Sequence, residues 1–178
     1  MHPQKRRMTW IVLLGGAAVL VSYAYSLSID RGTQMGLWGG VPFSLLPAYV
    51  TSMALAASGF FVFTYYLLFP VNPDGVRIAS RFGYGQFQVL YLMILIPSAL
   101  WLPLTSAMVQ QPSNLLWLGI LLVLAVVGLG SMGLLLALLT LQPRQPTAAY
   151  WLAVLGAVAF CFQTTVLDLF VWTGLFPA

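Results

Sequence analysis

One carboxylate lies inside an apolar stretch of this chain: Asp168, in Thr164-Thr165-Val166-Leu167-Asp168-Leu169-Phe170-Val171-Trp172. Near a bilayer centre such a group costs about 2.5–3.5 kcal/mol, and it faces a bundle interior or a water cavity. The chemistry open to it is a proton or ion relay, or a place in a ligand pocket. The alternative is a structural carboxyl held by Ser, Thr or Tyr neighbours. No basic side chain shares the spans with it, so it is protonated or meets Arg31 from a loop.

Other polar and aromatic groups recur at helical spacing around it. Thr165, Asp168 and Trp172 share one face of an α-helix, with Cys161 a turn further along and Thr164 also a turn from Asp168. Ser98 and Thr105 are seven residues apart, Tyr91 lies seven before Ser98, and Trp101 falls between Ser98 and Thr105. Tyr49 and Ser52 open a third segment, and Ser22, Tyr23, Tyr25 and Ser26 close a fourth. The candidate ligand-contacting set is Trp38, Tyr49, Ser52, Ser98, Trp101, Thr105, Thr165, Asp168 and Trp172. Aromatic walls with a few placed polar groups suit small apolar ligands.

The elements that must position these residues follow from composition. The chain has 178 residues, 61% hydrophobic and only 6% charged, where a soluble domain carries about 25% charged residues. Hydrocarbon about 30 Å thick takes roughly 20 residues of helix. Five segments are long enough: 8–27, 46–69, 83–108, 114–141 and 147–173. The predicted fold is an all-α integral membrane protein, a compact bundle of five transmembrane helices forming one domain over 1–178. The first segment also resembles a signal peptide, with Lys5, Arg6 and Arg7 before an apolar run ending Ala24-Tyr25-Ser26. Its length favours an uncleaved span.

Of the seven basic residues, Lys5, Arg6, Arg7, Arg77, Arg81 and Arg144 fall on one side of five spans and Arg31 alone on the other. The positive-inside rule then places the N-terminus in the cytoplasm and the C-terminus outside. Asp168, Trp101 and their companions all come to the outer half. The membrane is a bacterial plasma membrane or that of an organelle.

Close helix approach in lipid relies on small residues. The sequence offers Gly15 to Ala18, then Ala54, Ala57, Ser58 and Gly59, then Gly128, Gly130, Ser131 and Gly133, and finally Ala149, Ala153, Gly156 and Ala157. One such stripe equally suits a homodimer. Pro97 and Pro103 bend the third helix, either opening a cavity or improving packing. The glycine-rich loop 28–45 either anchors Trp38 at the interface or folds over the bundle mouth as a lid.

The inventory excludes several classes. Seven scattered basic residues make no nucleic-acid face. His2 is the only histidine and Cys161 the only cysteine, so no metal or haem site is predicted. No serine–histidine dyad or acid pair supports catalysis, and an enzyme is not expected.

Two segments resemble the translocator protein family, also called tryptophan-rich sensory proteins. The third helix has Leu90-Tyr91, then Ser98-Ala99-Leu100-Trp101-Leu102-Pro103-Leu104, similar to that family's Leu-Tyr and Asn-x-x-Trp-x-Pro-Leu with Ser98 for Asn. The fifth has Ala148-Ala149-Tyr150-Trp151 and Leu167-Asp168-x-x-x-Trp172, where the family has Leu-Asn-x-x-x-Trp. The family's Trp-x-Phe-Pro-x-x-Trp is absent, and Leu46-Pro47-Ala48-Tyr49 stands instead. The resemblance implies a pocket among five helices, closed by the first loop, for porphyrins, sterols or similar apolar molecules.

The leading expectation is therefore binding, sensing or passage of a hydrophobic small molecule in an outer-leaflet pocket capped by loop 28–45. A non-catalytic accessory subunit of a larger membrane complex is the second class. A small proton-coupled transporter using Asp168 is the third.

Overall fold

The computed structural model describes residues 2–29, 36–144 and 146–177, with only the backbone of Ile29. In hydrocarbon each unpaired backbone polar group costs several kcal/mol, so an apolar segment bonds its own backbone as helix. Helices α1 (Pro3–Ile29), α2 (Leu46–Leu68), α3 (Gly85–Gln110), α4 (Asn114–Leu139) and α5 (Ala148–Cys161) do so. α5 continues through a π-helical stretch (Phe162–Trp172) into α6 (Thr173–Leu175), and the three make one span. Among the described residues, five helical spans are long and apolar enough to cross a membrane.

The boundaries lie near those expected, except that α1 begins at Pro3 instead of residue 8. Pro suits a first helical turn, and Lys5, Arg6 and Arg7 are good helix formers. Helix formation thus outruns the apolar segment. Pro112 ends α3 by holding Gln111 in an extended conformation (φ −139°, ψ 87°). Thr147 caps α5 by accepting from the Tyr150 amide at 3.3 Å.

The helices form a ring. α1 packs along α3, α3 along α4, α4 along α5 and the π stretch, and α5 along α2. α1 and α2 touch only slightly, which leaves a loose seam. Across the interior, Thr64 Oγ1 and Tyr91 OH lie 2.7 Å apart and join α2 to α3.

Small residues set these contacts, though not all those expected. Gly59 and Gly156 bring the backbones of α2 and α5 together; a Cβ on Gly59 would lie 2.4 Å from the Gly156 carbonyl oxygen. Gly130 and Gly133 admit Ile94 and Leu90 of α3. Gly15 admits Leu95, while Gly16 faces open space. Ala54, Ala57 and Ser58 are exposed, and Ala56 with Gly59 forms the buried face of α2 instead. α3 runs unbroken through Pro97 and Pro103.

At one end a short ladder joins two loops: β1 (Arg77–Ile78) pairs antiparallel with β2 (Leu141–Gln142). This ladder was not foreseen, because 141 was assigned to the fourth span. Ile78 and Leu141 are buried beneath it. The same end holds His2 against Asp74 at 3.0 Å and Lys5 Nζ donating to the Phe69 carbonyl at 2.9 Å. Lys5, Arg6, Arg7, Arg77, Arg81 and Arg144 therefore gather at one end of the bundle, the basic end.

Candidate functional site

The opposite half of the bundle is built from aromatic side chains around the π stretch. A π-helix bonds i to i+5, is rare, and recurs at functional sites. Here hydroxyls occupy carbonyls that the α-helical ladder would use: Thr164 donates to Phe160 O at 2.9 Å, Tyr49 of α2 to Leu167 O at 2.9 Å, and Thr173 to Leu169 O. Such side-chain bonds compete with the i→i−4 pattern.

The altered winding changes which residues share a face. Gln163 and Asp168, five apart, become neighbours, and Gln163 Nε2 donates to Asp168 Oδ1 at 2.8 Å. Thr165 turns instead toward α4, where its Oγ1 lies 3.4 Å from Ser131 Oγ, and Thr164 donates to that same Ser131 at 2.8 Å. The shared face expected for Thr165 and Asp168 assumed α-helical winding, and the π stretch separates them. The Cys161–Thr165 proximity survives, with Sγ and Oγ1 3.8 Å apart.

Asp168 is half-buried. Its carboxyl lies within electrostatic range of the Tyr23 and Tyr49 hydroxyls, on the two helices that border the seam. Its bonded partner is an amide of its own helix, where Ser, Thr or Tyr was expected. Arg31, the proposed counter-ion, lies outside the described residues.

The remaining candidates divide. Tyr49 is buried, and its ring meets Trp38 edge-on at 6.3 Å. Trp101 stands 6.0 Å from Tyr23 and 5.8 Å from Trp172, centroid to centroid. Trp172 is buried, and its Nε1 donates to Leu37 O at 3.0 Å. Thr105 is fully buried and donates to Trp101 O on its own helix at 2.8 Å, so its hydroxyl is already used. Ser52 and Ser98 are half-buried and make no hydrogen bond among the described residues. The structure thus brings Trp38, Tyr49, Trp101, Asp168 and Trp172 together and leaves Thr105 and Thr165 committed to helix packing.

Three further contributors escaped the sequence reading. Gln163 has a signal in retrospect, being an amide inside an apolar segment. Trp117 stacks on Phe176 at 5.4 Å, and Phe176 meets Trp172 at 4.7 Å. Both sit at segment ends, where aromatic residues read as interface anchors.

Residues 36–45 lie across this end. Gly40 N donates to Leu175 O at 2.9 Å, and a Cβ there would come within 2.3 Å of that oxygen. Gly39 has a φ of +59° with Phe176 directly behind it. Glycine at both positions is what lets the segment descend onto the rings.

Three polar atoms in this half are buried without a hydrogen-bond partner among the described residues: Trp101 Nε1, Ser106 Oγ and Gln163 Oε1. The first is a donor, the last an acceptor, and the hydroxyl can be either. No group of three or more metal-ligating side chains occurs among the described residues. Set against protein-family models, curated proteins and solved structures, the chain matches none.

Proposed function

We propose that this protein binds a hydrophobic small molecule in the aromatic half of its bundle, as a receptor or as a passage for that molecule. The observation that carries the reading is the set of three unpartnered buried atoms, Trp101 Nε1, Ser106 Oγ and Gln163 Oε1, in the half that also holds the half-buried Asp168. A buried polar group without a partner costs about 1–3 kcal/mol. A ligand that supplies an acceptor to Trp101 and a donor to Gln163 or Asp168 recovers that cost. The ligand is thus an apolar body carrying at least one hydroxyl, amide or amine. The loose seam between α1 and α2, bordered by Tyr23 and Tyr49, supports entry from the lipid. Residues 36–45, tied to Trp172 and Leu175, act as the cap.

Porphyrins and sterols, the ligands implied by the resemblance to translocator proteins, are the first to try. In this proposal the basic end faces the cytoplasm, the aromatic half lies in the outer leaflet, and the membrane is a bacterial plasma membrane or that of an organelle.

The test is a titration of detergent-purified protein with protoporphyrin and with cholesterol, read by tryptophan quenching or displacement. Saturable binding is expected, weakened about tenfold by Trp101→Ala and by Asp168→Asn, as for loss of an interaction near 1.4 kcal/mol. Trp151→Ala, on the lipid-facing side of α5, should leave it unchanged. Equal affinities for wild type, Trp101→Ala and Asp168→Asn would remove the proposal.

A further inference from the structure

At the basic end, a groove of about 620 Å³ runs between the Ile78–Phe82 turn and the end of α4. It is lined by Ala79, Ser80, Thr140, Leu141, Gln142 and Arg144. Ala79 and Ser80 both take left-handed backbone conformations, with φ of 49° and 60°. Neither is glycine, and consecutive positive φ at such residues marks a turn held in place by its surroundings. Backbone bonds between Ile78 and Phe82 close the turn, and two further bonds tie it to residues 140–142: Ala79 N donates to Thr140 O at 3.3 Å, and Ser80 Oγ donates to Gln142 Oε1 at 3.2 Å.

The groove is rich in donors and poor in acceptors. Arg144 spends one N–H on the Leu139 carbonyl at the end of α4, which fixes the guanidinium at the groove wall and leaves its other donors available. Gln142 accepts from Ser80 through its oxygen, which leaves its amide NH₂ to donate. The Ser80 backbone N–H has no partner among the described residues. Arg77 lies opposite Gln142 in the ladder, and Arg81 follows Ser80.

None of these three arginines has a carboxylate partner among the described residues. The chain holds three acidic side chains. Asp74 is taken by His2 at 3.0 Å, Asp168 sits in the opposite half, and Asp30 is outside the described residues. Among the described residues the cationic groove therefore has no anion of its own.

An apolar strip leads away from it. Leu139, Leu136 and Leu129 are exposed along α4 at helical spacing, and Leu139 also lines the groove. A soluble phosphate would use only the donors; a phospholipid would use both donors and strip.

We infer that this groove is a binding site for the phosphate headgroup of an anionic membrane phospholipid, held by Arg144, Gln142 and the Ser80 turn, with an acyl chain along α4. It is separate from the ligand site in the aromatic half and does not depend on it.

Native mass spectrometry of the detergent-purified chain tests this, with phosphatidylglycerol, phosphatidylcholine and inorganic phosphate as probes. The wild type should retain one phosphatidylglycerol in preference to phosphatidylcholine, and inorganic phosphate should not displace it. Arg144→Gln should weaken that retention about tenfold, the loss expected for a charge-assisted bond. The pair Arg6→Gln with Arg7→Gln, which removes cations of the same end outside the groove, should leave it intact. Should Arg144→Gln not be recovered folded, Gln142→Leu spares the α4 cap and carries the same expectation. Equal retention of the two lipids, displacement by phosphate, unchanged retention in the groove variants, or an equal loss in the Arg6/Arg7 variant would each overturn the inference.

Discussion

Replacing Gly59 with Ala places a methyl group where α2 and α5 meet backbone to backbone. The new Cβ would stand 2.4 Å from Gly156 O, 2.8 Å from its Cα and 2.9 Å from its carbonyl carbon. Ordinary contact begins at 3.4 Å, so relief requires a local separation of up to 3.4 − 2.4 = 1.0 Å. No side chain can rotate away, because every opposing atom is main chain. Overpacking of this kind costs about 1–3 kcal/mol. A gap near 1 Å elsewhere along the pair forfeits a quarter to a half of each dispersion contact it opens. The expected destabilisation is therefore in the upper part of that range, about 2–3 kcal/mol. Strain should also reach the candidate site: Tyr49 is ten residues from Gly59, roughly 15 Å along the helix, and its bond to Leu167 O is the tie between α2 and the π stretch. The assay is reversible unfolding in mixed micelles by SDS titration, with Gly16→Ala as control, since nothing lies within 4 Å of a Cβ at Gly16. The control should shift stability by no more than about 0.5 kcal/mol. If Gly59→Ala falls within that same margin, the close approach of α2 and α5 is wrong and the ring order built on it fails.

Thr164→Val deletes the bonds to Ser131 Oγ (2.8 Å) and Phe160 O (2.9 Å) while conserving shape. Interhelical hydrogen bonds in membranes average about 0.6 kcal/mol, so the same titration should register a loss of about 0.5–1.5 kcal/mol, and a stabilised variant would refute the assignment. Trp172→Phe keeps an aromatic ring but removes the Nε1 bond to Leu37 O. Amide exchange at residues 36–41 should rise about five- to tenfold, matching a lost bond of roughly 1 kcal/mol, with exchange in α3 and α4 unaffected.

Much of the architecture was legible along the chain. Lipid leaves an apolar segment of this length one way to satisfy its backbone, and so composition alone dictates five helices. The grouping of Lys5, Arg77, Arg81 and Arg144 at one end was legible too, because alternating spans bring loops to alternate ends. The site was legible only in part. Trp101 and Trp172, expected in one pocket from the matching depth of their two spans, do meet at 5.8 Å. Thr165 was grouped with them and Gln163 was left out, since both judgements assumed one winding throughout the last span.

The sequence by itself determined the solvent and the number of helices, for these depend on local hydropathy and a fixed rise per residue. The tertiary structure alone decided the winding of Phe162–Trp172, where the Tyr49 hydroxyl, far away in the chain, claims the Leu167 carbonyl. It alone decided that α1 and α2 part at a seam, since helix order in a ring depends on which small residues meet, as Gly59 meets Gly156. And it alone set Arg144 beside the Ala79–Ser80 turn, through a two-residue ladder too short to leave a pattern in the chain.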